Sequence, residues 1–190
     1  MSRILITGGA GFIGCNAAKR FMDRGDRVVV VDNLSRKGTD LNLAWLKEQG
    51  GGGGGFDFIQ ADIRDAGAMR EAIGRDRDLD AVLHLAAQVA VTTSVTDPRS
   101  DFDINALGTF NVLEAVRQAP SDPIMVYAST NKVYGGMEDV AVVERNGRYA
   151  YEDLPGGVPE SRTLDFHSPY GCSKGAADQY VRDYARIYGL

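Results

Sequence analysis

Tyr170 and Lys174 stand four residues apart in the stretch SPYGCSKGAADQY. On a helix that spacing puts both side chains on one face, with their Cβ atoms about 6 Å apart. An ammonium beside a phenol favours the phenolate and lowers a pKa that is about 10 when unperturbed, so Tyr170 in such a pair can take a proton from an alcohol near neutral pH. Upstream, YASTNKVYG offers Ser129 and Thr130, whose hydroxyls can hydrogen-bond the same alcohol and relay its proton. Each feature alone has a plainer reading: an accidental Tyr/Lys pair on a wet helix face, and strand-end hydroxyls bonded to backbone. What decides is whether the rest of the chain provides a companion for that chemistry.

A second pattern does. ILITGGAGFIG, residues 4 to 14, sets a strand-length apolar run against a glycine cluster at a predicted helix start. Gly9, Gly11 and Gly14 match the dinucleotide fingerprint spacing, while Gly8, Gly11 and Gly14 form a three-residue repeat. In both readings glycines permit a tight turn, let backbone N–H groups approach a pyrophosphate, and seat the helix close on the sheet. Asp32 follows Gly14 by 18 positions at the end of the second predicted strand, where its carboxylate can accept hydrogen bonds from a ribose diol. A 2′-phosphate would be repelled by Asp32, which favours NAD, although Arg36 and Lys37 keep NADP open. The positive charge of a nicotinamide would further favour a Tyr170 phenolate.

The elements that must position these groups are legible as alternation. Apolar runs at Arg3–Ile6, Val28–Val31, Phe56–Gln60, Ala81–Leu85 and Ile124–Ala128 read as strands, most of them apolar on both faces. Helices are expected at Gly11–Arg24, Leu41–Glu48, Ala66–Ile73, Phe102–Gln118 and from Ser168 to about Tyr188. This predicts an α/β fold with a doubly wound parallel sheet, a Rossmann architecture. Asp62-Ile63 and His84-Leu85-Ala86-Ala87-Gln88 fall at strand C-terminal ends, where such sheets bind ligands; equally, Asp62 can cap a helix and His84 can be a satisfied core residue. Glycines 50 to 55 are expected to be a flexible connection rather than a nucleotide cradle, since no helix start follows them. The loop from Gly135 to Ser168 is expected to border a site. The chain stops at YGL where the alternation calls for another strand, so the pattern predicts an N-terminal NAD-binding domain over residues 1 to 190 of a longer enzyme.

Composition narrows the partners. A formal net charge of −5 with interleaved signs argues against a nucleic-acid surface and for a small-molecule partner. No apolar run approaches the roughly 20 residues of a membrane span, and the first one ends in glycines, unlike a secretory signal; a cytoplasmic protein is expected, with no membrane partner. Two distant cysteines and two histidines provide neither a disulfide framework nor a metal-ligand spacing, so no metal is expected.

The glycine pattern, Asp32, Thr130 and the Tyr170-Gly-Cys-Ser-Lys174 unit together resemble the extended short-chain dehydrogenase/reductase family, the nucleotide-sugar epimerases and dehydratases. The resemblance covers the whole chain. It implies NAD as cofactor and a catalytic set of Thr130, Tyr170 and Lys174. It further implies cofactor contacts at Gly8, Gly11, Phe12, Ile13 and Gly14, at Asp32, Asn33, Ser35 and Arg36, at Asp62 and Ile63, and at Leu85, Ala86, Ala87 and Gln88, with support from Asn105. Dehydratases of this family carry an Asp-Glu pair after the threonine, acid and base for removing water, whereas this sequence has Asn131-Lys132. The resemblance therefore implies epimerisation rather than dehydration, with Asn131 and Thr130 toward the sugar. STNKVYG, DNLSRKG and LDFHSPYGCSKGAADQY point within the family to a CDP-sugar, epimerised at C2 of a 3,6-dideoxyhexose through a transient ketone. A UDP-hexose 4-epimerase would use the same three catalytic residues, and a silent dinucleotide-binding protein would need none of them. Homo-oligomerisation through the long helices is a family-level expectation.

Overall fold

A computed structural model describes residues 1–50 and 55–190; of the glycine run expected to be a flexible connection, residues 51–54 lie outside the described residues. Five strands, β1 (Arg3–Thr7), β2 (Arg27–Asp32), β3 (Phe56–Gln60), β4 (Ala81–His84) and β5 (Ile124–Tyr127), form one sheet in the order β3-β2-β1-β4-β5. Every neighbouring pair is parallel, as the doubly wound expectation requires.

Side chains alternate along a strand, and here both faces are apolar because both are covered. Leu5, Val29, Val31 and Val82 pack with Met69 and Ile73 of α3 (Ala66–Gly74) and with Val112 and Val116 of the long helix. Ile4, Ile6, Val28 and Val30 point the other way, onto Cys15 and Ala18 of α1 (Phe12–Asp23) and Leu46 of α2 (Thr39–Gln49). Truncating one of these buried aliphatics to alanine costs about 2–5 kcal/mol. With the layers fixed, the C-terminal ends of β1 and β4, adjacent but leading to opposite sides, open a crevice at the point where strand order reverses.

Three departures from the sequence expectation matter for the site. The long helix begins at Pro98 rather than Phe102, because Asp97 accepts the Ser100 N–H and Pro98 occupies the first turn. It runs as α5 (Pro98–Phe102), a π-helical segment (Asp103–Gly108) and α6 (Thr109–Arg117), following a short α4 (Val91–Thr96). The stretch from Gly135 to Ser168 contains an antiparallel hairpin, β6 (Val142–Arg145) with β7 (Arg148–Tyr151), turned at Asn146 and Gly147, both left-handed. Two consecutive left-handed residues make the hairpin turn that matches strand twist. The final helix α7 spans Ser168–Tyr188 as expected. No helix among the described residues is long and apolar enough to cross a membrane.

Candidate active site

β1 delivers the chain into the glycine turn, and that turn is built by missing side chains. Gly8 has φ of +68°, and a Cβ there would lie 2.7 Å from the Ala86 nitrogen. A Cβ at Gly14 would overlap the Gly8 carbonyl oxygen, so the first turn of α1 sits directly on the loop. Gly11 caps α1 without a side chain and no acidic residue occupies the first turn, leaving the N–H groups at Phe12 and Ile13, both exposed, as donors for an anion. Asp32 secures this cradle: its Oδ2 accepts the Ala10 N–H at 3.1 Å and its Oδ1 accepts the Leu34 N–H at 2.9 Å. Each oxygen retains a lone pair for a ribose hydroxyl.

Beyond Asp32 the predicted nucleotide residues form a linked rim. Asn33 donates to Asp62 at 2.8 Å and accepts the Ser35 N–H, while Arg36 and Ser35 are exposed. Asp62 does not cap α3, a task performed by Asp65; its carboxyl is held down to about 2, chiefly by hydrogen bonds from the Arg64 guanidinium. Ile63 is buried beneath in the core.

On the other side of the crevice the Leu85 N–H donates to the Thr7 carbonyl, and the chain through Ala86 and Ala87 reaches Gln88. His84 is the satisfied core residue: its Nδ1 lies 2.5 Å from Thr7 Oγ1 and its Nε2 3.0 Å from Thr109 Oγ1. Complete burial, aided by the Lys174 charge, pulls it to about 3, so it is neutral. Asn105, on the π-helical segment, spends its amide on the protein. Its Oδ1 accepts the Gln88 N–H at 2.9 Å, and its Nδ2 donates to the Gln88 carbonyl, to Asp101 Oδ1 and to Ser173 Oγ. Ser173 in turn donates to Asp101. Asn105 thus supports any cofactor indirectly, by fixing the Gln88 loop to α7. Sequence reasoning misses Asp101, Ser173 and Ser94; Asp101 lies one residue before the helix expected from Phe102, so its four-residue spacing from Asn105 becomes a signal only once Asp97-Pro98 is read as the helix start.

α7 brings in the expected pair. The Tyr170 N–H donates to Ser94 Oγ at 3.1 Å, anchoring the helix start to α4. Lys174 is 4% exposed; its Nζ donates to the Ala128 carbonyl at 2.7 Å and stands 4.1 Å from the centroid of the Tyr127 ring. Burial lowers its pKa to about 8, opposed by the charges of Asp178 and Asp101. Among the described residues no hydrogen bond joins Lys174 to the Tyr170 oxygen. Thr130 caps a short 3₁₀ turn (Asn131–Tyr134) by accepting the Lys132 N–H at 3.3 Å, which leaves its own O–H free to donate, and Asn131 beside it is exposed.

A parallel sheet in this order, with a glycine-built helix start at its switch point, defines a Rossmann-like nucleotide-binding fold. The chain belongs to the family described as GDP-mannose 4,6 dehydratase, which matches residues 5–190, and so to the NAD-dependent epimerases and dehydratases. It is 51% identical over 188 residues to CDP-paratose 2-epimerase of Salmonella typhi, covering 99% of this chain and 54% of that protein. The UDP-glucose 4-epimerase of Thermus thermophilus, solved in complex with NAD, superposes with a TM-score of 0.75 at 34% identity, covering 99% of this chain and 52% of that one. The dTDP-glucose 4,6-dehydratase DesIV of Streptomyces venezuelae, solved with NAD, gives 0.77 at 32% identity, covering 99% and 53%. The chain therefore spans about half the length of the relatives it matches.

Proposed function

We propose that residues 1 to 190 form the NAD-binding domain of a cytoplasmic nucleotide-sugar epimerase that interconverts CDP-paratose and CDP-tyvelose by redox chemistry at C2. The observation that carries this reading is the buried Lys174 one helical turn from Tyr170, held beside the C-terminal end of β5 in the same sheet whose β1 leads into the glycine turn. The 51% identity to CDP-paratose 2-epimerase supports the choice of sugar.

The chain's residues fit a dinucleotide. Gly8 and Gly14 let the loop and the first turn of α1 lie backbone to backbone where a Cβ would collide, and the free N–H groups of α1 suit a pyrophosphate. Asp32 suits the adenosine ribose, with Asn33, Ser35, Arg36, Asp62 and Ile63 along the adenine side, and Leu85 to Gln88 along the far wall. Bound NAD supplies a reversible acceptor for the hydride on the sugar carbon. Tyr170 takes the hydroxyl proton from that carbon's alcohol and returns it after the sugar has turned its other face. Thr130 donates to the reacting oxygen, Lys174 keeps a positive charge near the phenol, and Asn131 contacts the sugar. With Asn131-Lys132 where a dehydratase carries two carboxylates, water removal has no acid and base here.

Self-association through the long helices is supported by exposed Phe102 and Leu107 on one and Tyr180 and Ile187 on the other. The test begins with calorimetric titration of NAD⁺ and NADP⁺ into the native protein and Asp32→Ala, with sedimentation of the same samples. NAD⁺ binding that weakens about tenfold in Asp32→Ala, the worth of one lost charge-assisted contact, is expected. Turnover of CDP-paratose by the whole enzyme, abolished in Tyr170→Phe, completes it; turnover of UDP-hexoses alone would move the assignment to a UDP-hexose 4-epimerase, the reading favoured by the Thermus neighbour.

A further inference from the structure

Tyr127 lies under the site and no part of the catalytic set includes it. It ends β5, its ring is stacked on His84 at a centroid distance of 5.8 Å, and the Lys174 ammonium stands over its face at 4.1 Å. Resting on the reading above, we propose that Tyr127 is a positioning residue whose ring face seats the Lys174 ammonium and keeps it protonated beside Tyr170.

Apart from the Ala128 carbonyl, the ring face is the favourable surface that lies directly against that charge. Among the described residues Lys174 has one hydrogen-bond acceptor, the Ala128 carbonyl, for its three N–H donors. Removing an ammonium from water favours the neutral amine, and the negative face of an aromatic ring opposes that by attracting the cation. The other charged and titratable groups acting on Lys174 are Asp101 from α5, Asp178 from α7 and His84 from β4, with Tyr170 one turn before it on α7. The two aspartates raise the Lys174 pKa, and a neutral His84 adds no repulsion. Tyr127 acts through its ring and not as a phenolate: burial, together with Asp178 and Tyr170, pushes its hydroxyl far above the ordinary tyrosine value. Its O–H reaches the Lys174 carbonyl at only 3.4 Å, so the hydroxyl contributes little to the seat. The stack on His84, itself pinned by Thr7 and Thr109, fixes the ring's height and tilt. A lysine that loses its proton here could no longer favour the Tyr170 phenolate, so the ring beneath sets the alkaline edge of the pair.

The experiment reads Lys174 directly. It is one of five lysines in the sequence, so ¹³Cε-lysine labelling gives a resolvable NMR titration, assigned by Lys174→Arg. Tyr127→Phe should leave the Lys174 midpoint where it is. Tyr127→Leu should lower it by about one unit, the size of a desolvated cation–π attraction. If the leucine variant does not fold, phenylalanines fluorinated at one, two and three ring positions keep the shape while draining the ring face, and the midpoint should fall stepwise. A midpoint unchanged in Tyr127→Leu, or flat across the fluorinated series, overturns the proposal. The titration needs no cofactor, so absence of NAD⁺ binding to the native protein would defeat the functional reading while leaving this result to stand or fall by itself.

Discussion

The two walls of the crevice are made by opposite means. On the β1 and β2 side, the wall is shaped by leaving side chains out, with Gly8 and Gly14 letting backbone lie on backbone and a single carboxylate, Asp32, tying the loop. On the β4 and β5 side, space is bounded by putting polar side chains in: Gln88, Asp101, Asn105 and Ser173 interlock below the surface, and Lys174 rests on Tyr127. The first wall has no rotamers to misplace and tolerates no added atom. The second depends on every partner being present, because a buried polar group left alone costs about 1–3 kcal/mol.

The sharpest way to break that comparison is Gly14→Val. Its Cβ would overlap the Gly8 carbonyl, and overpacking of this kind costs about 3 kcal/mol, so thermal melting should show a marked loss of stability and NAD⁺ affinity should fall by about 100-fold or more. A variant that melts and binds like the native protein would mean that the loop yields where its geometry says it is rigid. Asn105→Leu probes the other wall. It strips both Gln88 backbone groups, Asp101 and Ser173 of a partner, and urea unfolding should report a loss of about 2 kcal/mol together with faster hydrogen exchange at the Gln88 amide. Unchanged exchange there would separate the loop from the network.

The smallest effect is one of acidity. His84 is held neutral in the folded chain, at about 3 against 6.5 when free, so its contribution to stability is complete above about pH 6.5 and is lost as pH falls toward 3. Stability should be about 1 kcal/mol lower at about pH 5.5 than at neutrality. Replacing it, as in His84→Gln, should flatten that limb; an equally steep limb in the variant would place the acid sensitivity elsewhere.

The same contrast explains what could be read in the sequence. The first wall was legible because its cause is local: glycines at fixed spacing between an apolar run and a helix, followed by Asp32 at the next strand end. All five strands and the position of α7 followed from periodicity, since both faces of the sheet are covered. The second wall was legible only in part. Tyr170 and Lys174 are close in sequence, but Ser173 meets Asp101 from 72 residues away and Tyr170 meets Ser94 from 76. Pairings of that range are set by tertiary packing and leave no spacing to detect. Two features did carry unused local signals: Asp97-Pro98 marked the true start of the long helix, and Asn146-Gly147 marked the hairpin inside a stretch read as irregular.

The π-helical turn at Asp103–Gly108 has a consequence for how this chain can vary in length. It amounts to one surplus residue carried inside an otherwise continuous helix. Deleting a single residue there would give back regular α-helical bonding, an outcome that looks harmless locally. It is harmless at a distance as well, because the wide turn spends one extra residue on the same rotation and the helix on either side keeps its phase. Asp101 would stay toward Ser173 while Val112 and Val116 stayed on the sheet. A single deletion in the regular turns of α6 has no such surplus to give up and would rotate the two faces of the rod by about 100° relative to each other, so the π segment is where this helix can change length without changing what it holds.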